Sequence, residues 1–149
     1  MAERTRKPSD PGTSLLDRLR ASGWRMTAQR RAVAEALSAP DLHVTADEVF
    51  ERAAAILPEI SRATVYNTLN DLVALGEVRL TSFDGGHTRR YDPNARVPHH
   101  HLVCTECGTA KDVLFGHAVP PLSKKERQGY DVDASHIVFE GVCADCKQA

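Results

Sequence analysis

Apolar residues recur at helical spacing through the first half of the chain and at alternating spacing after it, so helices are expected first and strands later. Leu15, Leu16 and Leu19 make the stripe of a short first helix that stops near Gly23. Thr27 is placed to cap a second helix, in which Val33, Ala36 and Leu37 share one buried face before Pro40 interrupts it and Arg30 and Arg31 stay near the outer side. Thr45 followed by Glu48 spells a capping box for a third helix carrying Val49, Phe50, Ala53 and Leu57 inward, with Pro58 helping to end it. Ser61 caps a fourth, where Val65, Leu69, Leu72 and Val73 face the core and Gly76 marks the stop. The segment Glu77 to Ser82, the turn Asp84-Gly85-Gly86 and the return through Arg89 to Asp92 then predict a two-stranded hairpin.

Helices followed by such a hairpin predict a winged helix-turn-helix, a module that lays one helix in the major groove and holds phosphates with basic groups beside it. The outer face of the fourth helix carries Arg62, Tyr66, Asn67 and Asn70, the candidate contacts with double-stranded DNA. A polar helix face is most often merely solvated, and the order of elements is what raises this one above that reading. Charge agrees locally: the net formal charge is only -1, yet residues 1–31 hold eight Arg or Lys against three Asp or Glu.

Residues 97–149 read as a second, mixed module. Lys111 to Phe115 and Ile137 to Gly141 predict short strands, and residues 118–128 a modest helix. Strands this short need cover for their edges, so a homodimer is expected, which would set two recognition helices on a palindromic operator. The fold class is therefore α+β, with a flexible basic arm at 1–12, a winged-helix domain at 13–92, a hinge at 93–98 and a small α/β dimerisation domain at 99–149, whose metal ligands follow.

The chain has 149 residues, and all four cysteines fall in the last third as Cys104-x2-Cys107 and Cys143-x2-Cys146. No run approaches the roughly 18–20 apolar residues of a bilayer span, and the first ten residues lack the apolar stretch of a secretory signal; a cytoplasmic chain with no membrane role is the expectation. Stable disulfides suit that compartment poorly, and two CxxC pairs complete a closed tetrahedral thiolate shell, so one structural Zn(II) per subunit is the reading; a thiol redox pair or an iron-sulfur centre would draw on the same ligands. Gly108 and Gly141 flank the two pairs as unrestricted turn residues.

A second constellation lacks sulfur. His99, His100 and His101 precede the first CxxC, with Asp92, Asp112 and His43 further off. Imidazole and carboxylate suit iron, manganese, nickel or zinc. His99 and His101 point the same way if extended, leaving His100 on the opposite side. An ion held there could bias the orientation of one module against the other, which makes it a switch.

The segments SGWRMTAQR at 22–30, HVTADEVF at 43–50, SRATVYNTLNDLVALG at 61–76, HHHLVCTEC at 99–107 and GVCADC at 141–146 resemble the ferric uptake regulator family. The resemblance implies a homodimeric, metal-dependent repressor on a palindromic, AT-rich operator, with zinc at Cys104, Cys107, Cys143 and Cys146. It implies regulatory ligands at His43, Asp92, His99, His101 and Asp112, a groove-approaching Arg25, and base reading from Tyr66. Asp at 92 and 112, where iron-responsive members commonly have Glu, and Asn67 in place of an Arg, are similar to the peroxide-sensing branch. That branch implies Fe(II)-catalysed oxidation of His43 or His99 followed by release of DNA, with Mn(II) supporting binding without the reaction. The spacing from Asp92 to His99 is one residue longer than in peroxide sensors, and a repressor responding to iron, manganese, nickel or zinc is the alternative. His136 lies one position from a histidine of the family's additional metal site and, with His100, is left unassigned. A small metal-dependent hydrolase on His99, His101 and an Asp is the enzyme alternative; the chain offers no evident pocket, nucleophile or proton shuttle for it, so a regulator rather than an enzyme is expected.

Overall fold

The computed structural model describes residues 13–114 and 121–149. The basic arm expected at 1–12, Phe115 of the expected strand and residues 118–120 of the expected helix lie outside the described residues. The chain forms two compact units, 1–98 and 99–149.

In the first unit the helices are α1 (Leu15–Ala21), α2 (Ala28–Ala36), α3 (Ala46–Ile56) and α4 (Arg62–Ala74), followed by β1 (Arg79–Thr81) and β2 (Arg90–Asp92). Each helix opens on a hydroxyl that accepts an otherwise unmatched backbone N–H: Ser14 from Asp17, Thr27 from Arg30, Thr45 from Glu48 and Ser61 from Thr64. At α3 the bond is reciprocal, because the Glu48 carboxylate takes the Thr45 N–H at 2.7 Å. α4 closes on Gly76, whose φ of 72° lets its own N–H reach Val73 O and the Glu77 N–H reach Leu72 O, both at 3.0 Å. The chain can therefore turn straight from α4 into the hairpin.

Leu15 and Leu19 of α1, Val33 of α2, Val49 and Ala53 of α3, and Val65, Leu69 and Leu72 of α4 make one buried cluster with Val78 and Tyr91. β1 and β2 pair antiparallel with Leu80 opposite Tyr91, and Val44 and Tyr91 exchange backbone bonds at 3.2 and 2.7 Å, which fixes the residue after His43 to the hairpin. Glu77 and Asp92 are carboxylates buried inside this unit. Glu77 is 3% exposed and takes Arg18 Nε at 2.9 Å and the Arg96 guanidinium, Nε at 3.1 Å. A buried carboxylate is tolerable only when paired in this way. Arg79 donates to Ala95 O at 3.2 Å, so residues 95 and 96, within the expected hinge, are tied to the winged unit.

The second unit holds β3 (His100–Cys104), β4 (Ala110–Val113), β5 (Val138–Gly141) and α5 (Ala144–Gln148). β3 is central, antiparallel to β4 and parallel to β5. The strand expected from Lys111 begins one residue earlier, and the last strand begins at Val138 rather than Ile137. The helix expected over 118–128 is absent from the described residues 121–128, of which 124–128 form turns. Ser123 and Glu126 do start a helical turn, each accepting the other's N–H, but Gln128 and Gly129 adopt φ of 49° and 86° and end it at once.

Thr45→Ala removes the hydroxyl half of the α3 capping box. It is expected to destabilise the winged unit by about 1 kcal/mol. Thermal unfolding followed by circular dichroism should show a midpoint lower by about 5 °C.

Candidate metal centres and nucleic-acid face

The sulfur site is built from two turns. Cys104 ends β3, Gly108 (φ 72°) folds the knuckle back so that its N–H reaches Cys104 O at 2.9 Å, and Cys107 lies between them. β5 delivers the second pair: Thr105 N–H bonds Gly141 O at 2.8 Å, Cys143 caps α5 and Cys146 sits in its first turn. The four Sγ atoms lie within 4.8 Å of one another, and Cys107 and Cys143 are 3.8 Å apart. A Zn–S bond of about 2.3 Å gives tetrahedral S···S edges of about 3.8 Å, so the donor set fits zinc. None of the four is in a disulfide.

The thiols are not equivalent. Backbone N–H groups of Cys107 and then Cys143 pull Cys104 down to about 6. The Thr109 hydroxyl, 3.3 Å from Cys107 Sγ, and the Thr109 backbone lower Cys107. Cys146 is pushed up to about 12, mainly by the neighbouring Cys143 and Cys107 sulfurs. Four thiolates so close cannot all be ionised unless a cation replaces the protons, and metal affinity must rise with pH.

The nitrogen and oxygen donors are prepared separately in each unit. In the first, His43 and Asp92 are both buried, with His43 Nε2 3.6 Å from Asp92 Oδ2. Their other atoms set that orientation: His43 Nδ1 lies 3.2 Å from Asp41 O, and Asp92 Oδ1 accepts the Asn94 N–H at 2.8 Å. In the second unit Asp112 stands directly opposite His101 across β3 and β4. His99 and His101 bring their Nε2 atoms to 3.1 Å of each other, and Asp112 Oδ1 lies 3.4 and 3.6 Å from them. Ligand bonds of about 2.1 Å give edges of about 3.0 Å at a right angle and about 3.4 Å at the tetrahedral angle, so these three atoms fit one face of a metal shell. Two imidazoles and one carboxylate are the donor set of non-haem Fe(II) centres. His100 takes the opposite side of the strand, where its Nδ1 accepts the Ile137 N–H at 3.0 Å. His136 meets the far nitrogen of His101, a pairing that the spacing of these residues in the sequence did not announce.

The outer face of α4 presents Arg62, Tyr66, Asn67 and Asn70, all exposed, while Val65, Leu69 and Leu72 are buried behind them. Tyr66 is 46% exposed and so is not a core residue. Arg62 lies 4.3 Å above the Phe50 ring and pairs with Asp47, so α3 steadies its guanidinium. Arg25 is exposed before α2, and its carbonyl accepts from Arg30, which stacks on Trp24 and pairs with Asp71 at 3.2 Å. In the wing, Thr88 and Ser82 bond the Asp84 carboxylate, which holds it well below the usual range and stiffens the turn.

Cys104→Ser should abolish binding of the sulfur-site metal and unfold the second unit, read by metal analysis and by loss of its amide dispersion in NMR spectra. In the unaltered protein, affinity for that ion should fall steadily from pH 8 to pH 5 in competition with a chelator, because protons compete for every thiolate. An affinity unchanged at pH 5 would contradict the assignment.

Residues 21–137 match the family model described as the ferric uptake regulator family. Among curated relatives, the transcriptional regulator FurA of Mycobacterium tuberculosis is 35% identical over 132 residues, 87% of this chain and 88% of its own. The peroxide-responsive repressor PerR of Staphylococcus aureus is 34% identical over 134 residues, 87% and 86% of the two chains. The solved structure of the Vibrio cholerae ferric uptake regulator superposes with a TM-score of 0.62 at 25% identity, covering 85% of this chain and 97% of that one. The helices and wing of the first unit and the cysteine and histidine groups of the second thus stand within one pattern: the chain belongs to the ferric uptake regulator family of metal-dependent transcriptional regulators.

Proposed function

We propose that this chain is a homodimeric transcriptional repressor of the cytoplasm that binds a palindromic, AT-rich operator when metallated and releases it on exposure to peroxide. Zn(II) in the Cys104, Cys107, Cys143 and Cys146 shell is structural. Fe(II) or Mn(II) is the regulatory ion, with His43 and Asp92 from the first unit and His99, His101 and Asp112 from the second as its ligands. The observation that carries this reading is the convergence of His99, His101 and Asp112 within 3.6 Å, a donor set that holds redox-active iron beside oxidisable imidazoles. Fe(II) held by these residues would supply the chemistry that cleaves the peroxide O–O bond. The net change at the ring is insertion of one peroxide oxygen into an imidazole C–H of His43 or His99 with release of water. A ring altered in this way is a poorer ligand, and the coupling between metal and DNA is lost.

On DNA, Tyr66 and Asn67 read base edges while Arg25 and Arg62 contact phosphates, Arg25 close to the minor groove. Dimerisation is supported by the second unit's exposed apolar side chains, Leu102 at 48% and Phe139 at 42% on neighbouring strands among them. The family's description as ferric uptake regulators favours a second reading, a repressor that responds to the metal itself.

Binding to an AT-rich palindrome, measured with metal-free, Mn(II)-loaded and Fe(II)-loaded protein before and after a peroxide pulse, separates the two. Peroxide sensing requires tight binding with either metal, loss in the iron sample only, and a gain of about 16 Da on a peptide holding His43 or His99, the mass of the inserted oxygen. Binding indifferent to peroxide would leave a metal-homeostasis repressor, and binding indifferent to metal would overturn both. Tyr66→Ala should weaken operator binding by about 1–3 kcal/mol while sparing random DNA.

A further inference from the structure

The position of His101 between two groups leads to a residue outside the proposed ligand set. Its Nε2 faces His99 and Asp112, and its Nδ1, on the other side of the ring, meets His136 Nε2 with the two rings edge to face at 75°. A hydrogen bond between two imidazole nitrogens needs one donor and one acceptor. If Nε2 of His101 offers its lone pair to an ion, Nδ1 carries the proton and His136 Nε2 accepts it.

We propose that His136 is the positioning residue of the regulatory centre, fixing the tautomer and ring angle of His101 by accepting its Nδ1–H; this rests on His99, His101 and Asp112 holding the regulatory ion. The surrounding backbone holds His136 in place. His101 N–H bonds Ile137 O at 3.1 Å, and Ile137 N–H bonds the His100 ring, so the residue after His136 is fastened to β3 twice. The parallel register then sets Val138 beside His101. His136 cannot share an ion with His101 Nε2 through the nitrogen that faces Nδ1, because the two nitrogens of His101 point away from each other. An outer partner of this kind orients a ligand and raises its basicity, and its loss typically weakens metal binding 10–100-fold. Here the partner is an imidazole rather than a carboxylate, so it orients His101 without adding a negative charge.

His136 is exposed, so it can be changed without opening a core. With zinc kept in the sulfur site, Mn(II) binding is measured by the electron paramagnetic resonance signal of the free ion for His136→Leu and His136→Gln. The Leu variant should bind Mn(II) about 10–100-fold more weakly at unchanged stoichiometry. The Gln variant, whose side-chain oxygen can accept from His101, should stay near the parent value. Nitrogen-15 correlation spectra of the zinc-only protein should show His101 as the Nδ1–H tautomer in the parent and Gln proteins and as a mixture in the Leu protein. Unchanged Mn(II) affinity in His136→Leu overturns the proposal, as does loss of a whole equivalent of bound metal, which would make His136 a ligand. His99→Ala tests the underlying reading separately: unchanged Mn(II) binding there removes the centre itself, whatever His136 does.

Discussion

The second unit has almost no interior of its own, and that shortage governs how the protein is built. Among its described residues only Cys104 and Ala110 are buried apolar groups, whereas the first unit closes around a cluster drawn from four helices and the hairpin. Hydrophobic burial therefore stabilises the winged unit and is nearly unavailable to a three-stranded sheet with Leu102, Phe139, Leu114 and Tyr130 exposed. Cross-linking by a metal and the proposed cover from a second copy would supply what the core does not. All four sulfur donors sit in that unit, together with His99, His101 and Asp112.

The donors of the first unit lie at its mechanical joints. His43 immediately precedes Val44, which is bonded to Tyr91, and its carbonyl takes Arg90 Nη1 at 3.2 Å. Its ring meets the edge of Phe83 in the wing, at 5.8 Å between centroids. Two residues further on, Thr45 caps α3, the helix that steadies Arg62. A change in the position of the His43 side chain thus bears on the wing and on the entry to α3 together.

Much of the winged unit was legible because its signals are local. A hydroxyl before an amphipathic run, a Glu three places on and a Gly after the last apolar residue specify helix ends through bonds made within a few residues, and the caps read at Thr27, Thr45 and Ser61 rest on such bonds, as does the unread cap at Ser14. CxxC pairs and an alternating His-x-His are equally local, as are the exposed positions of Tyr66 and Asn67. What sequence missed depends on partners far along the chain. The Glu77 bonds to Arg18 and Arg96 span 59 and 19 residues, and the His101–His136 contact spans 35. The helix expected at 118–128 had a real start at Ser123, but it was defeated at Gln128, a residue whose type does not announce a left-handed backbone. α5 is only five residues long, and its N-cap is a cysteine with no side-chain bond, so no capping signature marks it.

β3 carries a histidine of the responsive donor set and, three residues on, the first cysteine of the zinc shell. The same strand is held in register on one side by β4, which bears Asp112, and on the other by β5, which leads to Cys143. The sulfur shell and the proposed responsive donors therefore share one frame: closing the knuckle favours the strand pairing that aligns His101 with Asp112. Under the proposed function, a chain short of zinc would hold its second metal more weakly. The supply of one nutrient would then set how much of the protein is competent to report on another.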